Sequence, residues 1–268
     1  MFRVVSDAEE PGIESSQVSS SLPILPELRP TPPHLCDRWS TIGLTVSLLL
    51  IAGILSFFAD LPVSWQLNQA RLLKAIHRTL EMAEPYGDFA GVILIAAGIW
   101  VLNPAGRSRI PLLILGTASC GLAADVVKLM VGRIRPTDLN WGEPLTLAGT
   151  FTGWFPLLHG GWRHQSFPSA HTATAWGLAM LLVRLYPRGR WFFPSVAACV
   201  AFQRVETGSH FLSDAIFGTA IGIGVSCVWL RSRLFEGFLP VEAVTGIELP
   251  DQVNLANDRR FGTESSAG

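Results

Sequence analysis

Residues 41–59 read TIGLTVSLLLIAGILSFFA. The run is almost wholly apolar and close to the ~20 residues a helix needs to cross a bilayer. Asp60 and Pro62 follow it and are read as its end. Composition agrees: 49% of the chain is hydrophobic and 15% charged, against about 25% charged in an average soluble domain. Nine tryptophans and a positive mean hydropathy point the same way. The sequence reads as an integral membrane protein. A net charge of −1 gives no bias toward nucleic acid or an acidic partner.

Upstream, residues 1–38 carry a serine cluster and repeated prolines, which predicts a disordered cytosolic tail. Downstream, Ser64–Glu84 is amphipathic. Leu72, Leu73, Ile76, Leu80 and Ala83 fall on one helical face, with Arg71, Lys74, Arg78 and Glu81 away from it. That pattern fits a helix lying in the interface or one packed on the protein itself. Further apolar runs at 86–102, 110–131, 170–186, 191–205 and 211–230 complete a count of six spans. The expected fold is all-α and polytopic, with six transmembrane helices over 39–232 and an interfacial helix between the first and second. Residues 233–268 turn polar and read as a flexible cytosolic tail. The four cysteines show no metal-like pairing, and the three in apolar runs, Cys120, Cys199 and Cys227, are read as small hydrophobes.

Six spans put both termini on one side. Arginines at 29, 38, 107, 109, 184, 188, 190, 231 and 233 flank that side, so the positive-inside rule makes it cytoplasmic. Three polar clusters then reach the opposite face: Lys128 with Arg135-Pro136, Pro168-Ser169-Ala170-His171, and Arg204 with His210 and Asp214. Ionisable residues in or beside spanning helices are expensive and mark functional sites.

Their chemistry suits a phosphoryl group. Lys128 and Arg135 are seven apart and share a side if the third helix runs on to Arg135; an ammonium and a forked guanidinium suit a phosphate dianion. Ser169 stands where an N-cap belongs, and free amides at a helix start bind anions. His171 could donate a proton to a leaving oxygen. His210 and Asp214, four apart, share a helical face; a carboxylate there can hold the imidazole in one tautomer and leave the other nitrogen free to attack phosphorus. Each residue alone has a blander reading: Lys128 as an anchor or a partner of Asp125, Ser169 as a plain cap, and His210–Asp214 as a structural pair.

The order Lys-x6-Arg-Pro, Pro-Ser-x-His and Arg-x5-His-x3-Asp resembles the type 2 phosphatidic acid phosphatase superfamily, over roughly residues 110–230. The resemblance implies a six-helix membrane phosphatase that needs no metal or cofactor. It implies phosphate binding by Lys128, Arg135 and Arg204, helped by Ser169 and the Ala170 backbone. His210 would be the nucleophile, forming a phosphohistidine, with Asp214 supporting it and His171 protonating the leaving group. Two positions depart from the usual pattern: Ala170 replaces a glycine and Gln203 a serine.

A site on the outer face beside the bilayer implies membrane lipids as partners and a lipid or polyprenyl phosphate as substrate, for which the tryptophan-bearing connection 137–167 is the candidate contact region. His159, Arg163 and His164 are further candidates for a headgroup. Undecaprenyl pyrophosphate, phosphatidic acid, phosphatidylglycerol phosphate and lipid A phosphates all fit. A vanadate-dependent oxidoreductase sharing the pocket, a lipid phosphotransferase and a non-catalytic binding protein are the competing readings.

Overall fold

The computed structural model describes residues 36, 39–69, 74–155 and 161–232. The tails read at 1–38 and 233–268 lie outside the described residues, Cys36 apart, as does His159. Seven helices are described: α1 (Trp39–Gln69), α2 (Lys74–Glu81), α3 (Phe89–Leu102), α4 (Ile110–Met130), α5 (Ala170–Leu185), α6 (Phe192–Glu206) and α7 (Leu212–Arg231). Two short strands, β1 (Val131–Arg133) and β2 (Phe151–Trp154), form an antiparallel pair.

Among the described residues, α1, residues 106–130 and α7 are long and apolar enough to cross a membrane. Helix 76–87 and α3, bent by 76° at their junction, make a fourth span if counted together. The chain is a helical membrane protein, but α5 and α6, with 16 and 15 residues, fall short of the usual spanning length of about 17–25 residues.

The shortness of α5 fits its position. Eleven of its residues are buried, and it supplies all three apolar cores. Leu178, Leu181, Leu182 and Leu185 pack with Val92 and Leu113. Met180 packs with Ile42 and Ile223, and Ala175 and Ala179 with Ala197 and Val200. A helix buried on most of its sides belongs at a bundle's centre. Glycines let its neighbours approach closely. A methyl on Gly218 would stand 2.4 Å from the Ser169 carbonyl, and one on Gly222 2.4 Å from that of Ala173.

Three local expectations change. First, α1 does not end at Asp60 and Pro62 but runs through both to Gln69, taking in the start of the stretch read as amphipathic. Its buried stripe is Gly53, Ser56, Asp60 and Ser64, spaced three or four apart on one face. The polar groups that looked like an end signal face protein, and Gly53 lies against Phe217 of α7. The remainder is the eight-residue α2, whose His77 bonds Glu206 of α6 at 2.9 Å.

Second, α4 stops at Met130 and the chain goes extended through Arg133. Val131 pairs with Trp154, Gly132 with Gly153 and Arg133 with Phe151. Lys128 and Arg135 therefore do not share a continuous helix. Third, Cys36 and Cys227 form a disulfide across 191 residues. Cys120 is buried as expected of it, Cys199 is exposed, and Cys36 and Cys227 are buried in an apolar cluster as a bonded pair.

The close contact of α5 and α7 gives a test. Gly218→Ala is expected to cost about 1–3 kcal/mol through overpacking, seen as a lower melting temperature in detergent. Gly98→Ala, with nothing within 4 Å of the new methyl, is expected not to lower it.

Candidate functional site

The site is assembled from chain turns at the helix ends. Pro136 and Thr137 meet the α6–α7 turn, where the Thr137 amide donates to the Gly208 carbonyl at 3.1 Å. Gly208 has φ +69°, a conformation that favours glycine, and a methyl there would come within 3.0 Å of Thr137. The Ser166 amide donates to Arg133 O and the Ser169 amide to Asp214 O, each at 3.0 Å. These backbone bonds bring the three sequence clusters to one place.

His210 precedes α7 rather than lying on it, since the helix begins at Leu212. The imidazole is 3% exposed. Its Nδ1 lies 2.7 Å from the Ser166 carbonyl and 3.7 Å from Asp214 Oδ2. A carbonyl can only accept, so Nδ1 carries the proton and Nε2 the lone pair. Burial holds the imidazole below its ordinary pKa; Lys128 and Arg135 push the same way, and Asp214 opposes them. His210 is thus a neutral imidazole with Nε2 available.

Asp214 is fully buried and caps its own helix, accepting from the Phe211 amide at 2.9 Å. The same oxygen accepts from Ser166 Oγ at 2.6 Å, and the other takes Arg133 Nη1 at 2.5 Å. The carboxylate therefore acts on His210 by charge across 3.7 Å, while the direct bond to the ring comes from Ser166.

The remaining expected residues lie around this pair. Ser169 caps α5, its Oγ accepting from the Thr172 hydroxyl at 3.0 Å and the Thr172 amide at 3.4 Å. Ala170 and His171 open that helix. Lys128 Nζ is 3.3 Å from Asp125. His171 is within Coulombic reach of Arg204, His210, Asp88 and Lys128, and Arg135 of Arg204 and Asp214. Two histidines and three cations thus lie within Coulombic reach of one another.

Three residues with direct roles in this geometry escaped the sequence reading. Arg133 is fully buried, bonded to Asp214 and to Asp60 of α1. It was hidden between Lys128 and Arg135, and its signal was an extra cation beside the matched pair. Ser166 holds His210 and Asp214 at once, from inside a stretch read as connection. Glu84 pairs with Arg204 Nη2 at 2.5 Å and accepts from Gln203 Nε2 at 3.0 Å. Gln203 Oε1 in turn accepts from Arg204 Nε at 2.7 Å, so this departure from the usual serine orients the arginine. Among the described residues no group of three His, Cys, Asp or Glu side chains is placed to hold a metal ion.

Residues 110–237 match the family model described as the PAP2 superfamily. A curated relative, the lipid A 1-phosphatase of Porphyromonas gingivalis, is 28% identical over 128 residues, which are 46% of this chain and 24% of the relative. The matched segment thus spans about a quarter of that protein's length. Two solved structures are similar. LpxE of Aquifex aeolicus has 18% identity and TM-score 0.47, covering 65% of this chain and 96% of that one. The first transmembrane PAP2-type phosphatidylglycerolphosphate phosphatase from Bacillus subtilis has 19% identity and TM-score 0.47, covering 71% and 92%.

The Glu84–Arg204 pair has a measurable consequence, because its carboxylate competes with any anion for that guanidinium. Glu84→Gln is expected to tighten orthophosphate binding by up to about fivefold, since a partly exposed pair is worth roughly 0.2–1 kcal/mol. Calorimetric titration of both proteins reads it; weaker binding by the variant would contradict the competition.

Proposed function

With residues 110–237 in the PAP2 superfamily, we propose that this chain is an integral membrane phosphatase acting on a lipid or polyprenyl phosphate or diphosphate. One observation carries the reading. The Ser166 carbonyl accepts from His210 Nδ1, which leaves the lone pair on Nε2 of a buried ring within Coulombic reach of Lys128 and Arg135.

The steps follow from that tautomer. Lys128, Arg135 and Arg204 hold the phosphoryl oxygens, with Ser169 and the amide of Ala170 at the start of α5. The Nε2 lone pair of His210 attacks phosphorus as the bond to the leaving oxygen breaks, and His171 gives that oxygen its proton. His210 becomes a phosphohistidine, whose positive charge the Asp214 carboxylate offsets. Water then attacks phosphorus, His171 takes the water's proton, and phosphate leaves with His210 restored. None of these steps calls on a metal.

The lipid character of the substrate rests on location and on aromatic surface. Trp154 and Phe155 at the end of β2 are 68% and 56% exposed, as residues at a headgroup level would be. Residues 39–232 are proposed as the catalytic domain, with six spans if α5 and α6 cross with their flanking turns. The site would face away from the cytoplasm by the arginine distribution. The Cys36–Cys227 bond favours the inverse orientation, because disulfides belong to oxidising compartments and this one joins the end opposite the site.

Phosphate release from phosphatidic acid, phosphatidylglycerol phosphate, undecaprenyl pyrophosphate and lipid A in detergent tests the activity. His210→Ala is expected to lose roughly 10³-fold or more and His171→Ala about 10²–10⁴-fold, and EDTA is expected to leave the wild type active. Equal release by wild type and His210→Ala would refute the mechanism, and chelation reversed by a metal would refute its metal independence. For sidedness, a cysteine placed at Asp138 is expected to react with an impermeant thiol reagent in intact cells. Reaction only after lysis would establish the inverse orientation.

A further inference from the structure

A residue on α1, outside the segment that matches the family, is wired to the proposed nucleophile. Asp60 is fully buried. Its Oδ2 accepts from Arg133 Nη2 at 2.6 Å and Ser213 Oγ at 2.5 Å, and its Oδ1 from the Ser213 amide at 2.9 Å. Arg133 is also fully buried. Its other terminal nitrogen reaches Asp214 at 2.5 Å and Ser213 Oγ at 2.8 Å, and its Nε reaches Thr150 at 3.3 Å. Asp214 accepts from Ser166 Oγ at 2.6 Å, and the Ser166 carbonyl accepts from His210 Nδ1. A continuous hydrogen-bonded path thus runs Asp60, Arg133, Asp214, Ser166, His210.

We propose that Asp60 and Arg133 are positioning residues for His210, acting through Asp214 and Ser166; this rests on His210 being the nucleophile. Charge gives the reason for the second carboxylate. Arg133 alone would neutralise Asp214 and leave the ring with no net negative neighbour when it becomes cationic on attack. With Asp60 present, the two carboxylates and one guanidinium sum to a single negative charge. The fork also fixes both carboxylates in direction, since a planar guanidinium presents its donors in a rigid array. A preorganised charge aimed at a developing one acts on the transition state more than on substrate binding.

The effect therefore belongs in kcat. Asp60→Asn keeps the shape and removes the charge, and it is expected to lower kcat about tenfold or more with KM changed less than about threefold, as for a group acting only in the transition state. Ser166→Ala keeps the carbonyl under His210 and removes only the bond to Asp214; it is expected to lower kcat by about three- to tenfold. Both are measured on the panel lipid that wild type hydrolyses fastest, with folded protein quantified by size exclusion. In an Asp214→Asn background Asp60→Asn is expected to add little, because residues acting as a unit are non-additive. If Asp60→Asn fails to fold, the Ser166→Ala result decides.

A folded Asp60→Asn protein with wild-type kcat overturns the inference, and so does a fully additive double variant. If His210→Ala stays active in the same assay, or wild type hydrolyses no lipid of the panel, the phosphatase reading falls and this inference with it. An inactive His210→Ala beside a fully active Asp60→Asn removes the inference alone.

Discussion

The guanidinium of Arg133 sits between two buried aspartates, and the rest of the site depends on that contact. It joins α1 to β1, the strand after α4, and to the first turn of α7. Three aromatic rings enclose it, with its central carbon 4.0 Å from the Phe211 centroid, 4.8 Å from Phe151 and 5.3 Å from Phe57. Buried charges are tolerated only when paired and hydrogen-bonded, and breaking such a pair by removing one partner costs about 3–5 kcal/mol. The arrangement is therefore stiff, and it transmits the position of α1 to Asp214.

Around that contact the bundle aligns the reactive groups by close backbone approach. Gly218 lets α7 reach the Ser169 carbonyl, and Gly87 lies against the carbonyl of His171. The start of α5 is thus clamped between α7 and the turn 84–87. Phe57, Phe167 and Phe217 pack beside it, with centroids 4.9–6.2 Å apart. Apolar packing sets where the two histidines stand, and the Ser166 carbonyl sets how His210 is turned.

Much of this was legible in the sequence, and the failures have physical causes. Apolar runs identified the membrane class, and the span count assigned Lys128, Arg135, His171, Arg204, His210 and Asp214 to one membrane face before any geometry. The helix boundaries were misjudged where side chains find protein partners. Asp60 reads as an end signal only if it faces water, and it faces Arg133 instead. A shared side for Lys128 and Arg135 required the helix to run on to Arg135, whereas Val131–Arg133 pair with the strand Phe151–Trp154. Ser166 carried no signal, because its role comes from its carbonyl as much as its hydroxyl. The Cys36–Cys227 contact joins distant ends of the chain, and local pattern does not encode such pairings.

The central claim is that His210 Nε2 forms a bond to phosphorus. The most direct measurement is a rapid quench into alkali, where a phosphoramidate survives, of protein mixed with a lipid substrate labelled in its phosphate. Peptide mapping by mass spectrometry then locates the label. The account predicts a phosphoryl group on the peptide that contains His210, appearing and decaying within a turnover and absent from His210→Ala. Turnover of the labelled lipid with no phosphoryl group on His210 at any quench time, or with the group on another residue, would contradict it.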